Sequence, residues 1–327
     1  MTARTISLGL TGLLLAIAAI ALARPFALAE IPQRLTAFRV SLRSPAPRRP
    51  LSAAETDQWA DQWIISADEA VQIIQEADAI VLDSRTAAAS RLISAVPVSW
   101  PAFTQFGITH RGKLLESDQI LARKLSSLGI SNDVPVLVAG DPLAWGEDGR
   151  IVWMLRTLGH PATAMVDGGQ SALAQALSQS GVQVPKPTPA SFDVRRDDTW
   201  SISRDRLRDG LDTAQITVVD SRSAAEYRGE TPHGEVRGGH VPGATHLHFK
   251  SLMDDTGHLL PQSELLARLA ALGLTRDKTV VTYCTGGVRS AWLAVVLTDL
   301  GFTVQNYPGS MWEWAASPSD RYPMVTP

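Results

Sequence analysis

The chain has 327 residues, a length that suits two domains of ordinary size. Hydrophobic residues make up 45% and charged residues 19%, the balance of a packed globular protein. A net charge of −3 gives no basis for nucleic-acid binding, and a single cysteine excludes both an internal disulfide framework and a cysteine-based zinc site.

Arg4 precedes eighteen residues without charge, Ile6 to Ala23. Ala21-Leu22-Ala23 and Ala27-Leu28-Ala29 carry the small-residue spacing of signal-peptidase sites. Residues 1–29 therefore read as a signal peptide, which predicts an exported, periplasmic protein. The alternative is an uncleaved anchor attached to the membrane through residues 6–23, since the run approaches bilayer-spanning length. Six arginines between positions 24 and 49 follow the run, and the positive-inside tendency sets them against simple export. Residues 30–50, with Pro32, Pro45, Pro47 and Pro50, read as an extended linker.

From residue 51 onward the sequence repeats itself. Ile80-Val81-Leu82-Asp83-Ser84-Arg85 matches Thr217-Val218-Val219-Asp220-Ser221-Arg222. Leu121 to Gly129 matches Leu266 to Gly273, and Trp153 to Gly159 matches the helical run ending at Leu300-Gly301. Short β-rich runs alternate with helical ones, which predicts α/β architecture with mainly parallel sheets covered by helices. The first copy spans 51–183 and the second 200–327. Between them, residues 184–199 form a proline-rich linker.

The second copy carries the chemistry. Thr279 to Tyr283 is an apolar, β-branched strand. Cys284 follows at its carboxyl end, then Gly286, Gly287 and Arg289, then the apolar helical run Ala291 to Leu300. A loop that curls into a helix N-terminus aims backbone N–H groups at one spot. The helix dipole and Arg289 add positive charge there, so Cys284 is expected to ionise below the usual thiol range. A single cysteine at a strand end is more commonly a buried, inert one. The glycines and the arginine at this spacing speak against that. The first copy has Gly140-Asp141-Pro142 at the equivalent place, so it has no thiol for nucleophilic chemistry.

These residues resemble the rhodanese sulfurtransferases. Cys284-x-x-Gly287-x-Arg289 is similar to that family's active-site loop. Asp220-Ser221-Arg222, with Glu226-Tyr227 beyond, resembles its Asp-x-Arg strand end. Gly239-His240-Val241-Pro242-Gly243-Ala244 resembles its Gly-His-Ile-Pro-Gly-Ala segment, and Gly309-Ser310-Met311-Trp312 its closing turn. The resemblance implies two tandem rhodanese-like domains, a cysteine-free first and a catalytic second, each a mainly parallel sheet flanked by helices. It implies no cofactor. The partners it implies are a small sulfur donor such as thiosulfate and a cyanide or thiol acceptor, with Cys284 as a persulfide carrier between them. Thr285, Gly286, Gly287, Val288 and Arg289 are the expected substrate-binding loop. Asp220, Arg222, Glu226 and His240 are its expected supports.

Several alternatives stay open at this point. Arg289 either binds an anionic donor or holds the loop. Tandem members of the family often place a donor-binding arginine where this chain has Glu226, and Arg228 or Arg237 are candidate substitutes. 3-Mercaptopyruvate is the alternative donor, and a persulfide carrier with little turnover is the alternative function. The Cys-x4-Arg loop is one residue shorter than the Cys-x5-Arg cradle of cysteine phosphatases and should crowd a phosphate. Trp312 and Trp314 are expected in the core or the domain interface. His246 and His248 lack a third ligand for a metal. The first copy is expected to wall the second one's pocket, with a separate ligand site around Asp141 and Trp145 as the alternative.

Overall fold

The computed structural model describes residues 51, 52, 54, 59, 61–85 and 92–326. The signal peptide or anchor expected at 1–29 and the linker at 30–50 lie outside the described residues. No helix among the described residues is long and apolar enough to cross a membrane.

In the first half, β1 (Ile64–Ile65) leads into α1 (Ala67–Ala77) through a Ser66–Glu69 capping box. Next come β2 (Ile80–Asp83), β3 (Val96–Pro97), α2 (Asp118–Ser127), β4 (Val136–Ala139), α3 (Glu147–Thr157), β5 (Thr163–Val166) and α4 (Gly169–Ser180). The strands form one parallel sheet in the order β1-β5-β4-β2-β3. Every residue of β2, β4 and β5 is buried, which is why these segments are continuous apolar runs without alternation.

The second half repeats the plan. Its elements are α5 (Arg204–Gly210), β6 (Ile216–Asp220), α6 (Ala224–Tyr227), β7 (Thr245–His246), α7 (Gln262–Ala271), β8 (Thr279–Tyr283), α8 (Arg289–Asp299), β9 (Val304–Asn306) and α9 (Ser310–Trp314). The sheet is again parallel, in the order β7-β6-β8-β9. Strand for strand this is the first sheet: β6 takes the place of β2, β8 of β4, and β9 of β5. A parallel bridge from Ser201 to Asn306 occupies the edge that β1 fills in the first sheet.

The two halves share one apolar core. It runs from Leu82 and Val138 through Trp153 and Leu155 to Trp292, Val296 and Val280. Its centre is the contact between α3 and α8. Both helices are buried on nearly every face, so neither shows the one-sided apolar stripe of a surface helix. Two glycines allow their approach. A Cβ at Gly149 would lie 2.5 Å from the Trp292 Cα, and one at Gly146 would lie 2.7 Å from the Trp292 Cβ. Side-chain caps reinforce the contact. Asp299 accepts from the backbone N–H groups of Trp63 and Ile64, both at 3.0 Å, and Asp167 accepts from that of Leu259 at 2.9 Å. Truncating a fully buried indole such as Trp292 costs about 3–5 kcal/mol.

Candidate active site

β8 lies in the middle of its sheet, and Cys284 follows its last residue. That is the carboxyl end of a parallel strand, where open α/β sheets present their ligand sites. The chain then turns through residues 284–288 into α8. Gly287 has a φ of +77°, and a Cβ there would lie 2.6 Å from the Pro308 carbonyl oxygen. At Gly286 the constraint is space: a Cβ would lie 2.2 Å from the Trp312 ring. The loop also rests on α9. Met311 N–H donates to the Cys284 carbonyl, Trp312 N–H to that of Thr285, and Cys284 N–H to Ser310 Oγ.

Cys284 is only 1% exposed, yet its thiol opens into a cavity of about 320 Å³. The sulfur accepts from the Gly287 N–H at 3.1 Å and from the Ser290 hydroxyl at 3.5 Å. Burial pushes the thiol up, the strongest single influence. The Arg289 charge, the Ser290 hydroxyl and N–H, and the Gly286 N–H together outweigh it and hold the thiol below its ordinary range. A buried thiolate held by amides and a guanidinium is a competent nucleophile.

Arg289 begins α8 and does not point freely into the cavity. Its two terminal nitrogens grip both oxygens of Glu226 at 2.7 Å each. Glu226 closes the capping box of α6 with Ser223, so a helix start fixes it in place. The Thr285 hydroxyl joins the group, accepting from Arg289 at 2.7 Å and facing Glu226 and Glu235 oxygens at 2.9 and 3.2 Å. This pairing holds the Glu226 carboxyl far below the usual range against the upward push of burial.

Comparison with known proteins agrees with this geometry. Residues 203–317 match the rhodanese-like domain family. The chain is 32% identical over 211 residues to the sulfur carrier protein TtuD of Thermus thermophilus, covering 61% of this chain and 74% of that protein. It is also 32% identical over 222 residues to a thiosulfate sulfurtransferase of Pseudomonas aeruginosa, covering 67% and 80%. The chain belongs to the rhodanese sulfurtransferase family. The rhodanese fold extends across both halves. The yeast mitochondrial complex I sub-stoichiometric sulfur transferase subunit superposes with a TM-score of 0.68 at 22% identity, covering 81% of this chain and 99% of that one.

The expected supports of this rhodanese fall into two groups. Glu226 belongs to the site. Asp220, Arg222 and His240 do not line the cavity. Asp220 and Arg222 form a buried pair at 2.7 Å, with Tyr283 O–H donating to Asp220 at 2.7 Å and Arg222 donating to the Gly239 carbonyl. The cluster ties β8 to the Gly238–Val241 turn. His240 stacks on Tyr227 with ring centroids 3.7 Å apart. The candidate substitute Arg237 is committed to the carbonyls of Trp314, Ala315, Ser317 and Tyr322, and Arg228 does not reach the cavity either. Trp314 is in the core as expected. Trp312 is at the interface of the halves, the other expected place: its ring lines the cavity, and its N–H donates to the His233 carbonyl.

The first half walls the second half's pocket, as expected, and Trp145 takes part in that wall. Together with Trp100 and Glu147 it crosses to the second half and lines the cavity above Cys284. The loop that carries it, residues 140–146, is longer than residues 284–288 of the second half. Arg150, one turn into α3, is wholly buried and reaches further still. It donates to the Gly287 carbonyl at 3.1 Å and the Gly112 carbonyl at 2.7 Å. Burial lowers its pKa to about 9, against the upward pull of the Cys284 charge. Arg150, Glu147, Trp100, His233 and Ser290 were not singled out by the sequence. Ser290 sits one residue past the motif and was readable from helix geometry. Arg150, Glu147 and Trp100 depend on how the halves dock, and His233 on the path of the loop after α6.

Proposed function

We propose that this protein moves sulfane sulfur through a Cys284 persulfide. The Cys284 thiolate attacks the outer sulfur of a donor. The donor's bond to that sulfur breaks, and its electron pair leaves with the remainder, which is sulfite if the donor is thiosulfate and the pyruvate enolate if it is 3-mercaptopyruvate. Cys284 then carries one extra sulfur with a terminal negative charge. An acceptor thiolate or cyanide attacks that outer sulfur, the Cys284 thiolate departs with its electron pair, and the cycle closes without an external oxidant or reductant. The Gly287 N–H and the α8 N-terminus stabilise negative charge on sulfur in both steps, as amides stabilise an oxyanion.

The single observation that carries this reading is the thiol at the floor of a cavity, hydrogen-bonded to Gly287 N–H at 3.1 Å. Thiosulfate is the proposed donor by relation to the Pseudomonas aeruginosa enzyme. A carrier role is supported by relation to the Thermus thermophilus protein, and 3-mercaptopyruvate remains the competing donor. Intact-mass spectrometry after incubation with thiosulfate, mercaptopyruvate or polysulfide tests the scheme. An adduct of about 32 daltons, one sulfur atom, is expected on wild type and absent from Cys284→Ser. No adduct with any donor sinks it. The same spectrum on protein from its native host tests the proposal that residues 1–29 are removed on export.

A further inference from the structure

The walls of the cavity suit a particular kind of molecule. Three indoles form them: Trp100 and Trp145 from the first half and Trp312 from the second. The guanidinium that lines the cavity, Arg289, is already bonded at both ends to Glu226. Arg150 lies beneath the loop with two of its nitrogens on carbonyl groups. Carboxylates lie close around the site. Glu147 is in the lining, and Glu226 and Glu235 stand behind the Thr285 hydroxyl. One Glu147 oxygen accepts from Trp145 N–H at 3.0 Å. Lys250, whose charge acts on Glu147, has its ammonium on the Leu143 carbonyl. With the Cys284 thiolate, four negative groups stand around the cavity, against the guanidiniums of Arg289, Arg150 and exposed Arg111 and the Lys250 ammonium, and of these charged side chains only Glu147, Cys284 and Arg289 line it. The indoles already show their taste: Arg289 lies over Trp145 at 5.2 Å, exposed Arg111 over Trp312 at 5.5 Å, and Arg150 over Trp100 at 5.9 Å.

Aromatic faces beside a carboxylate are the usual recognition chemistry for organic ammonium groups. We propose that the cavity above Cys284 selects a sulfur acceptor carrying an organic ammonium group, an aminothiol, over neutral and anionic thiols. The proposal rests on the persulfide reading for its turnover. The ammonium sits between the indoles and Glu147 while the acceptor thiolate reaches the outer sulfur of the persulfide. Sulfur transfer then proceeds as above, and the aminothiol leaves as its own persulfide.

Two measurements test it. In the first, Cys284 is loaded with polysulfide and its sulfur is taken up by cysteamine, 2-mercaptoethanol or thioglycolate, thiols of similar size bearing positive, zero and negative charge. Each rate is divided by the rate of the same thiol with a free persulfide, which removes intrinsic nucleophilicity. Cysteamine should exceed thioglycolate by about tenfold, the factor given by about 1.4 kcal/mol. Glu147→Gln should cut that preference to about one third, the share that one partly screened charge supplies, and added salt should lower it too. In the second, unloaded protein is alkylated with iodoacetamide in tetramethylammonium chloride or in sodium sulfate of equal ionic strength. Tetramethylammonium should protect Cys284 more strongly than sulfate. Equal or faster use of thioglycolate, a preference unchanged in Glu147→Gln, or protection by sulfate alone each overturn the inference. The protection assay needs no persulfide. It therefore judges the cavity's charge preference even if loading fails, a result that would count against the function proposed above instead.

Discussion

Arg289 and Glu226 face each other through two parallel hydrogen bonds of 2.7 Å, so the guanidinium lining the cavity is already neutralised. The pair is buried on both sides, with side-chain exposures of 5% and 3%. Removing one partner of such a pair leaves an uncompensated charge and costs about 3–5 kcal/mol.

Glu226→Gln should therefore lower the urea midpoint substantially while raising the rate with thiosulfate, because Arg289 is released to an anionic donor. The pH dependence has a definite sign. The folded carboxyl titrates well below its ordinary value of 4.5, so the pair's contribution is fully present above that pH and is lost as pH falls through and below it. Urea midpoints measured from pH 7 downward should converge for wild type and variant. Parallel curves would refute the assignment.

The Ser290 hydroxyl has one proton and two neighbours, Cys284 Sγ at 3.5 Å and the Asn306 side chain at 2.7 Å. With the Asn306 oxygen toward Ser290, the Asn306 Nδ2 has no acceptor. Half a turn of the amide lets Nδ2 donate to Ser290 and frees the hydroxyl proton for the sulfur. Ser290→Ala and Asn306→Asp should each raise the midpoint of Cys284 alkylation, by about half to one pH unit for a bond worth ~1 kcal/mol. Iodoacetamide rates against pH give the answer, and an unmoved midpoint in both variants removes Ser290 from the site.

Gly149→Ala places a methyl group 2.5 Å from the Trp292 backbone, which cannot swing aside as a flexible side chain can. Overpacking of this kind costs about 1–3 kcal/mol. A fall of several degrees in Tm is expected, together with lower transfer activity, because α3 also carries Glu147 and Arg150. An alanine variant with wild-type Tm and rate would show that the helices slide apart at no cost.

Arg150→Met strips the partner from two buried carbonyls and removes a cation from beneath the loop. Loss of stability of about 2 kcal/mol should accompany an upward shift of the Cys284 midpoint. A stability loss without the shift would limit Arg150 to holding the halves together.

The strand, loop and helix around Cys284 were legible because local chemistry determines them. A β-branched run makes β8, two glycines make the turn, and an apolar run makes α8. The repeat likewise predicted two equivalent parallel sheets, since β2 and β6 carry nearly the same residues. What stayed hidden was contact between segments far apart in the chain. Glu226 stood where the family often has a donor-binding arginine, and nothing local reveals that Arg289 docks onto it. The first copy was expected to wall the pocket, but which of its residues do so was hidden, because the approach of α3 to α8 depends on Gly146 and Gly149 meeting Trp292, a fit of shapes that periodicity does not encode.

Trp100, Trp145, Glu147 and Arg150 have one further meaning when taken together. The half without a nucleophile supplies much of the wall around the other half's thiol. Retuning the protein toward a new sulfur compound does not require touching the reactive loop at all. A lineage can explore substrates through the inert copy while the chemistry in the active copy stays intact.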